Sequence, residues 1–149
     1  MKLDGSYTVN APLDRVWNAL NDPELLIQCI PGCRQLELES EGRSESRYRA
    51  MLELGLTDPK GQYTGWVEIS DKVPNSHCRL SIEATGNPGP IQIIGIFDLE
   101  GLADKTHITY TGEVQVSGKI AGFGDHMISG IAKLVINQFF KTMDRELSR

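Results

Sequence analysis

Residues 118–147 read GKIAGFGDHMISGIAKLVINQFFKTMDREL. Apolar side chains recur there at steps of three and four: Ile120, Phe123, Met127, Ile128, Ile131, Leu134, Val135, Phe139, Met143 and Leu147. That spacing lines them along one side of a helix. The other side carries His126, Ser129, Lys133, Asn137, Lys141, Asp144 and Arg145, a solvated face. Asp125 near the start and Lys141, Arg145 and Arg149 at the end suit the helix dipole. Such a helix runs roughly 40 Å at about 1.5 Å per residue, so it needs a large apolar surface to lie on. Gly118, Gly122 and Gly124 predict a loose turn before it. Gly130 falls inside it, where Gly costs about 1 kcal/mol relative to Ala.

The residues before this helix are able to make that surface. Leu3, Gly5, Tyr7 and Val9 alternate with polar residues, a short strand with one buried face. Asn10-Ala11-Pro12 stops it and starts a helix, with Asn10 as the expected cap and Val16, Trp17 and Leu20 as the inner stripe. Asn21-Asp22-Pro23 breaks that helix, and Asp22 caps a second one through Leu25, Leu26 and Ile27. Pro31-Gly32 ends it. Three consecutive apolar residues cannot all turn inward, so at least one of Leu25, Leu26 and Ile27 should be exposed or line the mouth of the cavity.

A run of strands follows. Segments 34–41 and 45–56 are joined by Ser40-Glu41-Gly42, and in the second Tyr48, Ala50, Leu52, Leu54 and Leu56 share a face. Asp58-Pro59-Lys60-Gly61 is a turn signal, after which Tyr63, Gly65, Val67 and Ile69 alternate with polar neighbours. Pro74-Asn75 turns the chain into Cys78, Leu80, Ile82 and Ala84. Residues 86–90, Gly-Asn-Pro-Gly-Pro, break the pattern before Ile91, Ile93, Gly95, Phe97 and Leu99 resume it. Ala103-Asp104-Lys105 makes the last turn, leading to Ile108, Tyr110, Val114 and Val116. Short turns between successive strands mean an antiparallel sheet. The fold class is α+β: a curved antiparallel sheet of about seven strands wrapped around the long C-terminal helix, with two short helices after the first strand.

Composition bounds the function. With 149 residues the chain should form a single domain, 1–149, large enough to bury a core. A net charge of −5 argues against a nucleic-acid partner, whose phosphates demand a basic surface. Met1-Lys2-Leu3-Asp4 turns polar too early for a signal peptide, and no apolar run approaches the ~20 residues of a membrane span. Three cysteines are an odd number without a disulfide framework, which points to a reducing, cytoplasmic setting.

Specific motifs then narrow the reading. Asp4-Gly5-Ser6-Tyr7-Thr8-Val9, Ala11-Pro12, Arg15-Val16-Trp17 and residues 19–24, Ala-Leu-Asn-Asp-Pro-Glu, resemble the START-like (SRPBCC) helix-grip superfamily. Cys29-Ile30-Pro31-Gly32-Cys33, Gly118-Lys119-Ile120-Ala121 and the closing Phe139-Phe140 make the sequence similar to the carbon monoxide dehydrogenase G-subunit (CoxG) family over nearly its whole length. The resemblance implies an apolar cavity between sheet and helix. It also implies a non-catalytic role beside a molybdenum hydroxylase, in membrane recruitment of that enzyme and handling of quinone-like lipids, with peripheral contact at the inner membrane face. Family members commonly continue into a hydrophobic or amphipathic tail. This sequence stops at Arg149, so direct anchoring through such a tail is not expected.

The residues expected to face the cavity are Leu52, Leu54, Val67, Ile69, Leu80, Ile82, Ile93, Phe97, Tyr110 and Val114, with Phe123, Met127, Ile131 and Val135 from the helix. Trp17, Leu26 and Ile30 from the short helices complete the ligand-binding set. None of these is Asp, Glu, Lys, Arg or His, the groups acid–base chemistry needs within reach of a substrate. An apolar lining fits a mostly hydrocarbon ligand, oriented by the hydroxyls of Tyr48, Tyr63 or Tyr110. Any one of these residues, taken singly, reads first as an ordinary core residue. The collective argument is the small inward residues Ala50, Gly65, Ala84, Gly95 and Gly112, which thin the interior. The mouth is expected at residues 25–30, 87–90 and 120–124.

Other constellations carry less. Cys29 and Cys33 straddle a Pro-Gly turn with no histidine at ligand spacing and read as buried thiols, so neither metal nor cofactor is expected. His77 and His107 fall on outward faces. Ser6, Ser44, Ser46 and Ser70 lie near no plausible base, leaving a nucleophilic triad nothing to build on. Trp66 points outward, as an interface residue or under partial cover. The sequence therefore reads as a carrier of a hydrophobic small molecule. A cyclase or hydrolase of the same superfamily, and a docking module acting through Trp66 and the arginines of residues 43–49, are the alternatives.

Overall fold

The computed structural model describes residues 2–54, 61–86 and 89–148, apart from the side chains of Leu54 and of residues 118–120. Strand β1 (Lys2–Val9) leads into helices α1 (Leu13–Leu20) and α2 (Pro23–Cys29). Then come β2 (Cys33–Glu41), β3 (Ser46–Leu54), β4 (Gly61–Val73), β5 (His77–Gly86), β6 (Ile91–Leu102) and β7 (Lys105–Val116). A 3-10 turn over Gly118–Phe123 precedes α3 (Asp125–Leu147). Among the described residues the sheet has seven strands in the order β1-β7-β6-β5-β4-β3-β2. All pairs are antiparallel. Successive strands are neighbours except β1, which closes against β7 with Lys2 opposite Glu113 and Val9 opposite Thr106. The α+β architecture expected from the alternation is thus the one observed.

Local chemistry explains most boundaries. Asp22 caps α2, its carboxylate accepting from Glu24 N at 3.0 Å, with Pro23 in the first turn. Gly32, at φ +78°, turns the chain from α2 into β2 in a backbone conformation that side chains disfavour. Its carbonyl accepts from Glu53 N at 2.8 Å. Asn10 does not cap α1, however. Pro12 takes that position without a side-chain cap, and Asn10 N instead donates to Asp144 Oδ1 at 2.8 Å, tying the end of β1 to the last turns of α3. The first hairpin also turns later than its composition implies. Glu41 still pairs with Ser46, and the turn is 42–45, closed by Gly42 N donating to Glu45 O at 2.7 Å. Leu56 and the turn residues 58–60 lie outside the described residues, as do Asn87 and Pro88 of the 86–90 break.

The long helix differs in phase from its apolar spacing. Gly124, at φ +84°, separates the 3-10 turn from α3, so Phe123 does not continue the stripe into the helix. Within α3 the core-facing line is Ile128, Ala132, Ile136, Phe139, Phe140, Met143 and Leu147. Met127 and Leu134, expected on the buried stripe, are 51% and 60% exposed. The steps of four from Ile128 through Ala132 and Ile136 to Phe140 keep one face. The line through Met127, Ile131 and Leu134 lies on the flank. Asp125 in the first turn and Arg145 in the last match the dipole as expected.

Candidate ligand-binding site

Every strand residue expected on the concave face and described here is buried or packed against the core. The exceptions in kind are Gly65, Gly95 and Gly112, which carry no side chain. Two ends of this concave face behave differently. At the end where β1 runs into α1, the interior is full. Phe140 stacks on Tyr7 and Tyr110 with ring centres 5.5 and 5.9 Å apart, and meets Phe97 edge-on at 5.5 Å. Phe139 covers Phe97 at 6.4 Å, and Val9, Val16, Ile69, Ile108 and Met143 beside them are sealed from solvent. The apolar spacing puts Phe97 and Tyr110 near Phe123, Met127 and Ile131. Their ring partners are instead Phe139 and Phe140, which stand a further three turns along the helix.

At the opposite end, inward residues of central strands keep accessible surface. Leu80, Ile93 and Gly95 are only half-buried, and so are Ile91, Gly112 and Val116. They form a continuous patch, because the cross-strand rows are Leu80–Gly95–Gly112, Ile82–Ile93–Val114 and Ala84–Ile91–Val116. A concave-face residue in mid-sheet retains such surface only where the layer above it is incomplete. The layer is incomplete because α3 packs its backbone chiefly on α2, β1 and α1. Its N-terminal half offers Ile128 and Ala132 to the core, beside Phe123 of the 3-10 turn, while Met127, Ile131 and Val135 stand outside the packed cluster. Of the short-helix residues expected to bind, Leu26 and Ile30 are buried in the α2–core contact, and Trp17 is half-buried on α1. Val67 and Leu52 are buried behind the patch. The side chain of Leu54 lies outside the described residues.

The small inward residues do different jobs. A side chain on Gly65 would run into the backbone of Glu83 and Ala84, so that glycine permits close approach of β4 and β5 and leaves no interior space. A side chain on Gly112 meets only Ile94 O at 3.6 Å and Leu3 Cβ at 4.0 Å, which is ordinary contact. Gly112 therefore contributes room to the patch, and Gly65 does not.

Polar groups on the concave side are few. Tyr63 has no solvent exposure, and its ring lies against Gly86. Burial raises its pKa, and a backbone hydrogen bond from Gly89 offsets part of that rise. Tyr48 is raised chiefly by burial too, with a Ser46 hydrogen bond opposing. One expectation fails here. Ser46 is buried and receives a hydrogen bond from Lys72 Nζ at 2.6 Å. An irregularity between Ser70 and Val73, with Asp71 at φ +51°, swings Lys72 across the sheet, which strand alternation alone does not foresee. Sealed from solvent, Ser46 is nevertheless closed to a substrate.

The remaining candidates resolve simply. Cys29, Cys33 and Cys78 are free and buried. Burial pushes Cys29 and Cys78 up to about 12 and Cys33 to about 11, far from a reactive thiolate. No group of three or more potential metal ligands occurs among the described residues. His77 Nδ1 lies 2.8 Å from Asp98 Oδ1 on the outer face. Trp66, 39% exposed, sits under the Arg47 guanidinium at 4.8 Å, and Arg47 also pairs with Glu68 at 3.1 Å. The groove beside it, of about 360 Å³, is lined by Thr64, Glu83, Gln92 and Gln115 from the convex side and reaches Ile91 and Val116 at the end of the sheet. No helix among the described residues is long and apolar enough to cross a membrane.

Comparison with known proteins agrees with this architecture. A conserved protein from Geobacillus kaustophilus is 35% identical, with a TM-score of 0.88 over 99% of this chain and 95% of its own. The ZhuI aromatase/cyclase from Streptomyces sp. R1128 superposes with a TM-score of 0.77 at 17% identity, over 100% of this chain and 94% of its own. A START superfamily protein from Mycobacterium smegmatis gives 0.73 at 14% identity, over 99% and 97%. The last two establish the helix-grip fold alone. A search of curated proteins returns no match. The profile of the carbon monoxide dehydrogenase G-subunit (CoxG) family matches residues 5–148, and with the sheet and gripped helix in place the chain belongs to that family.

Proposed function

We propose that this protein binds and carries a hydrophobic small molecule, a lipid or quinone-like compound, on the open half of its concave face. In this reading it is a non-catalytic accessory to a carbon monoxide dehydrogenase-type molybdenum hydroxylase, working in the cytoplasm at the inner membrane face. The observation that carries the reading is the half-buried apolar patch of Leu80, Ile91, Ile93 and Val116 in mid-sheet. Leaving such surface uncovered forgoes about 25 cal/mol per Å², a loss that an apolar ligand recovers. Among the described residues, the patch of Leu80, Ile91, Ile93, Gly95, Gly112 and Val116 carries no ionisable side chain, which favours binding over acid–base turnover. Family membership supports the partner.

Solvent extraction of protein purified from its native host, followed by mass spectrometry, tests the ligand. A stoichiometric apolar compound is expected. Recovery of protein with no such compound, together with failure to bind an apolar dye, refutes the carrier reading. Co-purification with a molybdenum hydroxylase tests the partner separately.

A further inference from the structure

One row of side chains crosses the convex face of the sheet. Arg49, Trp66, Glu83, Gln92 and Gln115 stand opposite one another on β3, β4, β5, β6 and β7. Trp66 is 39% exposed in the middle of this row, which leaves part of a large apolar ring in water. The guanidinium of Arg47 lies over the ring, 4.8 Å from its centre, and is held there by Glu68 at 3.1 Å. The indole also borders the groove of about 360 Å³ at this end of the sheet.

The groove is rich in acceptors and holds no cation. Glu83, directly opposite Trp66, has no ion-pair partner among the described residues. Its Oε1 accepts from Gln92 Nε2 at 3.0 Å, which holds the carboxylate in place. Gln115 Nε2 turns likewise toward Glu113 Oε1 at 3.3 Å. Each amide thus commits an N–H to a carboxylate and keeps its carbonyl oxygen as an acceptor. Among the described residues lining the groove, Glu83 is the one ionisable side chain. An indole, an unpaired carboxylate and amide carbonyls together match a group that is flat, positive and donates only. That group is a guanidinium. A net charge of −5 on the chain favours the approach of a basic segment.

We infer that this groove is a docking site for an arginine presented by a protein partner. The guanidinium stacks on the free part of the Trp66 indole and donates to the Glu83 carboxylate. The chain itself already contains the same arrangement, since Arg47 lies on Trp66 and pairs with Glu68. A neutral side chain of the same shape keeps the stacking but loses the pairing with Glu83, and an acidic one is repelled by it. Trp66 and Glu83 stand on the side of the sheet away from the concave patch. The inference therefore does not rest on the carrier reading, and neither decides the other.

The test uses the full chain at low salt and two end-blocked peptides, Gly-Ser-Gly-Arg-Gly and the same peptide with neutral citrulline in place of arginine. Nuclear magnetic resonance follows the Trp66 indole N–H and the side-chain amides of Gln92 and Gln115. The arginine peptide is expected to shift all three signals, with a Kd on the order of 1 mM for one stacked and paired side chain. The citrulline peptide should bind about tenfold more weakly. Glu83→Gln and Trp66→Ala are each expected to weaken arginine binding about three- to tenfold. Glu100→Gln removes the same charge from an exposed position at the far end of β6 and should leave binding unchanged. Should Trp66→Ala fail to fold, Glu83→Gln decides alone. Equal binding of the two peptides overturns the inference, as does an equal loss in Glu83→Gln and Glu100→Gln, which would mean diffuse attraction only. No shift at millimolar peptide also overturns it. So does a dimer of the chain that Glu83→Gln dissolves, for then a second copy fills the groove.

Discussion

The ring of Phe140 stacks on that of Tyr110, centres 5.9 Å apart and planes 28° from parallel. Tyr110 in turn occupies the space that a side chain on Gly5, its cross-strand partner, would need. Strand β1, strand β7 and helix α3 are thereby joined through one aromatic stack. The grip of sheet on helix is strong at this end and loose at the other.

Phe140→Ala is expected to cost about 3–5 kcal/mol, because a fully buried ring leaves a cavity among Tyr7, Phe97 and Tyr110. Ile131→Ala, on the half-buried flank outside the packed core, should cost about 1 kcal/mol or less. Urea unfolding of both variants checks the contrast. Equal losses would mean that the N-terminal half of α3 is gripped as tightly as the C-terminal half.

Gly130 lies in mid-helix with nothing within 4 Å of an added Cβ. Gly130→Ala should therefore stabilise by about 0.5–1 kcal/mol, through helix propensity and lower unfolded-chain entropy. Calorimetry should show a rise of about 1–4 °C. A fall would mean that Gly130 is not the open, regular helical position described.

Gly65→Ala and Gly112→Ala separate close approach from open space. The first drives a methyl into the backbone of Glu83 and Ala84 and is expected to cost about 2 kcal/mol or more. The second should fold with near-normal stability and bind a bulky apolar dye less well. Thermal melts and dye titration of the two proteins make the comparison, and reversed stabilities would contradict the packing described.

The three thiols set a pH dependence. Their folded pKa values lie above that of an unfolded cysteine, about 8.5, so the folded state holds its protons longer than the unfolded one. Stability from this source is complete below about pH 8.5 and declines as pH rises toward the folded values. Melting temperature should fall above about pH 9, and less so in a variant with Cys29 and Cys78 replaced by alanine, measured against its own neutral value. At pH 8 a disulfide reagent should titrate the thiols only after unfolding. Rapid reaction of the native protein would show that they are not buried.

Much of this protein is legible without coordinates. Strict alternation places Tyr48, Ala50, Val67, Ile69, Cys78, Ile82, Phe97 and Ile108 on the concave side, because a strand has only two faces and one of them is polar. Asp22-Pro23 specifies the start of α2 through a bond between neighbours. Where a residue's role depends on distant partners, the sequence is silent. Asn10 has the chemistry of a cap, yet Asp144, remote in sequence, takes its amide. The phase of α3 turns on Gly124 and on which of two adjacent apolar lines meets the rings of β6 and β7, a choice that periodicity leaves open. Lys72 reaches Ser46 only because β4 is irregular at Asp71. Gly65 and Gly112 read alike as small inward residues, and only the tertiary structure, by setting a neighbouring backbone against one and not the other, decides which leaves room for a ligand.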